Sequence, residues 1–203
     1  MFEERPWLVD AAPRSTDVVG MLGRREASLF FHLARDYYVG QGTIVDAGSF
    51  LGRSAMCFAA GMRANPGFDA GRDRIHCFDN FICHDDNSID HVKRGLGAQV
   101  KVGQSMRDLF DRQVEPARDL LVVHDGDFLR RHWEHGPIEI LMVDIAKSAD
   151  LGRHVVQEFF PALLPGRSVV IQQDYHHPWL PHIHVMMESL AECFRMVMPR
   201  VDV

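Results

Sequence analysis

Several features are missing from this chain of 203 residues, and each absence narrows its class. No run approaches the roughly 18 apolar residues of a membrane-spanning helix, so no contact with a membrane is expected. The opening residues, Met1-Phe2-Glu3-Glu4-Arg5-Pro6, hold neither a basic stretch nor an apolar core, so no secretory leader is expected. The four cysteines, Cys57, Cys77, Cys83 and Cys193, form no CxxC pair. Cys57 and Cys77 lie in apolar runs, which reads as buried free thiols in a reducing cytoplasm. Lys and Arg total 22 against 28 Asp and Glu, and no basic stripe offsets the net charge of -6, so no nucleic-acid partner is expected. Neither GxGxxG nor a GK[ST] ending is present, which counts against a nicotinamide-dependent oxidoreductase and against a P-loop. No internal repeat, low-complexity tract or linker interrupts the chain. Its length suits one domain with a sizeable core.

What is present is a repeat of short apolar runs ending in aspartate. They are Thr43-Ile44-Val45-Asp46, Ile75-His76-Cys77-Phe78-Asp79, Leu120 to Val123 before Asp125 and Asp127, Ile138 to Val143 before Asp144, and Val169-Val170-Ile171 before Asp174. Continuous apolar runs separated by helix-length segments predict buried parallel strands. In an open parallel sheet the carboxyl ends of the strands share one edge, where ligands bind. The aspartates are therefore expected around one site, because packing alone gives no reason for an acid at the same end of every strand.

Between the strands the pattern is helical. Leu22, Leu29, Phe30, Leu33, Ala34 and Tyr37 predict a helix from Met21 to Tyr38, stopped by Gly40-Gln41-Gly42. Ser54 to Met62 is small and apolar, suited to a helix packed closely on the sheet. Residues 63–74 read as a loop, and 82–118 as two helices and a partly mobile cover. Ala149 to Leu164 and Pro178 to Phe194 predict two further helices, the last with its proline near the first turn. The expectation is an α/β, Rossmann-like, doubly wound and mostly parallel sheet with helices on both faces. Residues 1–20 are expected to form an N-terminal arm and 21–203 a single domain.

Asp46-Ala47-Gly48-Ser49-Phe50-Leu51-Gly52-Arg53-Ser54 is the strongest local motif. It follows a strand and opens a helix, where free N–H groups and glycines admit a ligand to the backbone. A plain strand-to-helix turn is the alternative. Here the chain resembles the class I S-adenosylmethionine-dependent methyltransferases. The resemblance implies that Asp46, Gly48, Ser49, Phe50, Gly52 and Ser54 hold the methionine part of the cofactor. It assigns the ribose hydroxyls to Asp79 in Phe78-Asp79-Asn80-Phe81, with Asn80 and Phe81 beside it. A carboxylate suits a vicinal diol because it accepts two hydrogen bonds. Gly126-Asp127-Phe128 would form the adenine pocket, Asp127 accepting from the amino group and Phe128 packing on the ring. For both Asp79 and Asp127, helix capping is the competing role.

Together with Asp144 to Ser148 and Gln173-Asp174-Tyr175, these motifs are similar to the macrocin O-methyltransferase-like group, from about residue 21 onward. That likeness implies O-methylation of a small hydroxylated acceptor, a sugar or natural product. It also implies a Mg²⁺ site made by Asp144, Gln173 and Asp174, with Gln173 where the family has an Asp or Asn. Asp144-Ile145-Ala146-Lys147 resembles the Asp-x-x-Lys of catechol-type enzymes, which makes Asp144, Lys147 and His177 the catalytic candidates, Lys147 or His177 taking the proton. A zinc site among His176, His177, His182 and His184 lacks a known ligand spacing. Tyr175 is a candidate wall of the acceptor pocket, whereas Trp179, Met186 and Met187 are expected in the core. The family ordinarily ends in a strand pair, and Arg195 to Val203 supplies at most one strand. That leaves an edge for self-association into a homo-oligomer. The rival expectation is a non-catalytic S-adenosylmethionine-binding protein of the same fold.

Overall fold

In the computed structural model, which describes residues 1–199, the five apolar runs form one sheet. The strands are β1 (Thr43–Ala47), β2 (Ile75–Asp79), β3 (Leu121–Asp125), β4 (Ile138–Val143) and β5 (Val169–Gln172). Their order is β3-β2-β1-β4-β5, and every neighbouring pair is parallel. The period-2 alternation sends side chains to two separate cores. Ile44, Ile75, Cys77, Ile140 and Met142 join one core, and Val45, Phe78, Leu141 and Val143 join the other.

The first core is covered by α1 (Arg24–His32) and α2 (Arg53–Ala64). They pack closely because Gly61 of α2 lies under α1: a Cβ there would stand 2.1 Å from the Phe31 carbonyl oxygen. Behind them Phe30 and Phe58 stack at 5.0 Å. α1 is shorter than its periodicity predicts because it ends in a π-helical turn, Leu33–Tyr37, before the extended Tyr38. The second core is covered by α5 (Ala149–His154), the π-helical turn Val155–Phe159 that continues it, and Ile183 of α6 (Pro181–Glu188).

α3 (Asp86–Leu96) and α4 (Arg107–Val114) are the two helices expected within 82–118. They build a third, smaller core of Cys83, Val92, Val100, Met106 and Leu109 around Leu51 of the glycine loop. Residues 1–20 contribute two short 3₁₀ turns and bury Trp7 in the first core. After α6 no further strand forms among the described residues, and the end of the expected last strand, residues 200–203, lies outside them. β5 is therefore an edge strand, and all four of its residues are only half-buried. No helix among the described residues is long and apolar enough to cross a membrane. All four cysteines are free.

Candidate active site at the sheet switch point

The strand order reverses between β1 and β4, and the carboxyl ends of these strands open a crevice at that point. The loop after β1 is tied down on both sides. Gly48 N–H donates to the Phe78 carbonyl at 2.8 Å, and Asp144 N–H donates to the Ala47 carbonyl at 2.8 Å. Gly48 has φ 104°, and a Cβ on it would lie 2.9 Å from the Asp144 carbonyl carbon. Gly52 has φ 90°, and a Cβ on it would lie 2.3 Å from Val114. Both glycines are thus demanded by packing within the protein as well as by backbone conformation. Three non-glycine residues at the same sheet edge, Phe50, Phe81 and Asp174, have φ values of 48°, 51° and 58°. Left-handed backbone at side-chain-bearing residues is costly and clusters at ligand sites.

Asp46 lies wholly buried beneath the loop. Ser54 Oγ donates to its Oδ2 at 2.8 Å, while Oδ1 has no partner. Burial, with smaller contributions from the Asp144 and Asp79 charges, pushes its carboxyl up to about 7 against the opposing Ser54 and Ser49 hydroxyls. Asp79 accepts from Phe50 N–H at 2.8 Å and Phe81 N–H at 2.6 Å, which clamps the glycine loop to the end of β2. Burial still holds its carboxyl above the usual range. Each oxygen retains a lone pair for a further donor. Asn80 Oδ1 is engaged by Ile82 N–H at 3.0 Å and by the His84 ring.

Other expected site residues have different roles. Phe81 is fully buried against Phe110, with centroids 4.7 Å apart, and so is a core residue. Phe128 is also core: it stacks on Phe159 at 5.1 Å and meets the edge of Phe78, which leaves no ring face for adenine. The reason is that Gly126 and Asp127 turn the chain back over the second core. Asp127 accepts from Leu129 N–H at 3.1 Å and pairs with Arg130, the capping role.

After β4 and β5 the two acids converge on one lysine. Lys147 Nζ contacts both Asp144 Oδ1 and Asp174 Oδ2. Burial pushes the Asp144 carboxyl up to about 6, with Lys147 opposing and Asp174 and Glu26 reinforcing the shift. Lys147 is itself raised, because its two carboxylate partners outweigh its burial. It is an ammonium, so in this arrangement it has no lone pair for a substrate proton. Gln173 turns away from the pair, its Nε2 donating to Glu26 of α1 at 3.2 Å. The expected Asp144, Gln173 and Asp174 ligand set is therefore not assembled: an ammonium stands between the acids, and the amide faces another acid. These donors do not fit Mg²⁺ as arranged, and no chemistry is routed through it.

His177 is exposed on the turn after β5, and its Nδ1 accepts from Trp179 N–H at 3.3 Å. It makes no hydrogen bond or ion pair with Asp144 or Lys147. Trp179 is 83% exposed, which corrects the expectation of a core role: the turn of residues 174–180 lifts it off the sheet. Met186 and Met187 are half-buried, Met186 against Gly152 of α5. Tyr175 bonds to Glu188 of α6.

Two adjoining clefts meet at this edge. A small one of about 40 Å³ is lined by Gly48, Ser49, Ser54, Asp144 and Met142 and closed by Gly20-Met21-Leu22. A larger one of about 330 Å³ shares Gly20 and Arg53 with it and adds Asp17, His91 and Arg94. The segment over the small cleft is clasped by Gln113 of α4, which bonds Val19 N–H, the Val19 carbonyl and the Leu51 carbonyl at 2.7, 3.1 and 2.7 Å. Arg53 begins α2 at the wall of both clefts, and its Nε is buried without a partner. Glu26, Arg53 and Gln113 were not singled out from the sequence. Only Arg53 lies in a recognisable motif, and the other two reach the site through helix packing.

The fold and this crevice define a Rossmann-like α/β protein with an opening at the switch point of its sheet. No family model and no curated protein matches the sequence. Among solved structures the chain is similar to the O-methyltransferase NovP, with 15% identity, a TM-score of 0.63, and coverage of 86% of this chain and 74% of that one. It is also similar to CalS11, described as a calicheamicin methyltransferase, with 18% identity, a TM-score of 0.57 and coverage of 86% and 74%. The apo form of CalS11, described as a TDP-rhamnose 3'-O-methyltransferase, matches at 16% identity and a TM-score of 0.57 over 86% of this chain and 73% of that one. At these identities the likeness is one of fold.

Proposed function

We propose that this chain is an S-adenosylmethionine-dependent O-methyltransferase acting on a small hydroxylated acceptor, a sugar or natural product. One observation carries the reading. Two buried polar atoms of opposite character lack partners at the Asp46–Ser54 turn: the acceptor Asp46 Oδ1 and the donor Arg53 Nε. Unpaired buried groups are costly, and a zwitterionic amino-acid end, with its ammonium and carboxylate, satisfies both. The methionine part of the cofactor has that end, and Asp79 retains acceptor capacity for its ribose. The descriptions of NovP as an O-methyltransferase and CalS11 as a sugar O-methyltransferase support the same activity. S-adenosylmethionine, when bound, supplies an electrophilic methyl group on a sulfonium.

The residues around it do the rest. Asp144, ionised above about pH 6, takes the acceptor's hydroxyl proton. Lys147 holds Asp144 and Asp174 in place and offsets their charge. Calorimetry with S-adenosylmethionine tests the cofactor assignment. Asp79→Ala is expected to weaken binding by about 1–3 kcal/mol, the worth of hydrogen bonds to a charged group, and Arg53→Gln to weaken it as well. Absence of binding by the wild-type chain overturns the reading.

The non-catalytic binding protein remains the second reading, favoured by the closed Lys147 bridge and the diverted Gln173. Transfer of a labelled methyl group across a panel of hydroxylated acceptors separates the two. Binding without transfer to any of them selects the second. For the setting we favour the cytoplasm, in keeping with four free thiols, and a self-associated state through the uncovered β5 side.

A further inference from the structure

On the sheet face opposite α1 and α2, away from the glycine loop, three histidines from three separate elements come together. His76 is the second residue of β2, His124 the fourth of β3, and His135 lies in the turn before β4. Each offers a ring nitrogen, and these nitrogens all lie within 4.8 Å of one another. Among the described residues this is the only group of three or more His, Cys, Asp or Glu side chains with that geometry. His76 Nδ1 and His124 Nε2 are 2.9 Å apart and share one hydrogen. The His135 ring sits 4.6 Å from the His76 ring and 5.2 Å from the His124 ring, yet it makes no hydrogen bond to any described residue. One shared proton cannot satisfy three imidazoles.

The surroundings are apolar and aromatic. Phe78 stacks on His124 at 4.1 Å, and Trp133 packs on His76 at 5.1 Å and on His135 at 5.2 Å. Trp133 Nε1 donates to the Gly136 carbonyl at 2.6 Å, which fixes the turn that presents His135. Burial and the neighbouring imidazoles hold the His76 and His124 rings well below their usual range, at about 3 and about 4. A neutral imidazole is the form that ligates a metal. Arg131, whose guanidinium bonds the Asp125 carbonyl, is the cationic group that acts on His124 and weighs mildly against a bound cation.

We propose that His76, His124 and His135 form a binding site for a divalent transition-metal ion of the Zn²⁺ class. Three neutral nitrogen ligands without a carboxylate suit Zn²⁺, Cu²⁺ or Ni²⁺ and are poor ligands for Mg²⁺ or Ca²⁺. A tetrahedral ion with bonds of roughly 2.0–2.1 Å needs the nitrogens a little over 3 Å apart, which small ring rotations supply, and its fourth position is left for water. His76 precedes Asp79 by three residues on β2, so the ion sits along the strand from the crevice. Its effect is structural: it ties edge strand β3 and the turn before β4 to β2. The site does not depend on the methyltransferase reading.

The test uses the untagged full chain, stripped with chelator and then titrated with Zn²⁺ against a chromophoric zinc indicator. Co²⁺ serves as a spectroscopic probe of coordination. The expected result is one equivalent of Zn²⁺, an intense visible Co²⁺ band typical of four-coordinate sites, and a melting temperature raised by Zn²⁺. His135→Ala, at an exposed turn where folding is least at risk, is expected to weaken binding about tenfold or more and to abolish the band. Asp144→Asn, His184→Ala and Cys193→Ser are expected to keep both, which separates this site from the crevice acids, the C-terminal histidines and the exposed thiol. Substoichiometric binding by the wild type overturns the proposal. So does a His135→Ala chain that binds and absorbs like the wild type, or loss of the band in any of the three control variants alone.

Discussion

Burial of Asp46 with one oxygen unpaired makes stability depend on pH in a definite direction. Its native carboxyl titrates near 7, against about 3.9 in an unfolded chain. Between these values the native state binds more protons than the unfolded one, so stability is full below the unfolded value and falls as pH rises toward 7. Asp46→Asn removes that slope. In urea titrations without ligand, the variant is expected to gain about 2.6 kcal/mol on the wild type between pH 5 and pH 8. A difference that does not change with pH removes the burial argument.

Asp144 carries a second pH dependence, of the opposite direction, for catalysis. In the proposed function Asp144 is the proton acceptor and must be ionised, so kcat/KM is expected to rise with pH through about 6 and then level off. Asp144→Asn is expected to lose about 10²-fold or more. A limb well above 8, or an Asn variant with wild-type rates, moves the proton to another group. Lys147 refines this picture. Removing its ammonium leaves two carboxylates facing each other, which pushes the Asp144 carboxyl up. In Lys147→Ala the pH limb is therefore expected to shift alkaline. Millimolar Mg²⁺ should raise the melting temperature of that variant and leave the wild type unmoved. A wild-type response to Mg²⁺ would show that the ammonium yields its place to the ion.

Among the structural elements, the stretch ahead of α1 is the one that must move if the proposed cofactor is to bind. A cleft of about 40 Å³ is far smaller than the few hundred cubic ångströms that a ligand of the cofactor's size fills. Gly20-Met21-Leu22 closes that cleft, while Gln113 of α4 anchors Val19 beside it. Binding is thus expected to reorganise residues 20–22 around the Val19 anchor. Hydrogen exchange across residues 18–23, measured with and without S-adenosylhomocysteine, should change there more than in β1 or β4. Gln113→Ala should speed exchange in the free protein by loosening the clasp. Unaltered exchange in that stretch on saturation would mean that the ligand enters elsewhere.

Considered as one molecule, the protein is unevenly covered. β1, β2 and β4 lie between two cores, whereas β5 has one neighbour and four half-buried residues. In the chain that follows β5, Trp179, Val185, Met196 and Val197 are exposed, Trp179 and Val185 at 83% and 65%. An open strand edge beside exposed apolar side chains favours pairing with another chain, and the like partner is a second copy. Light scattering at micromolar concentration is expected to give a mass above the 23.1 kDa of one chain. Trp179→Ser should shift the balance toward monomer. A monomer at all accessible concentrations contradicts the expectation.

The five strands, the glycine loop and the gathering of strand-end acids were legible along the chain because they rest on local pattern. An apolar run of strand length needs cover on both faces, and a parallel sheet puts all its carboxyl ends at one edge. Helix presence was legible for the same reason, but not the π-helical turns that close α1 and α5, which answer to packing against the sheet. Side-chain partners were not legible. Phe81 and Phe128 look like cofactor contacts beside their aspartates, yet each packs inward, against Phe110 and Phe159, residues distant in the sequence. Lys147 looks like a free base until the fold brings Asp174 to it across 27 positions. His76, His124 and His135 share no motif at all, and only the placement of β3 beside β2 joins them. Local periodicity decides which way a residue faces, whereas strand order and helix docking decide what it meets there. Ionisation, metal affinity and pairing depend on that second choice, so they belong to the tertiary structure.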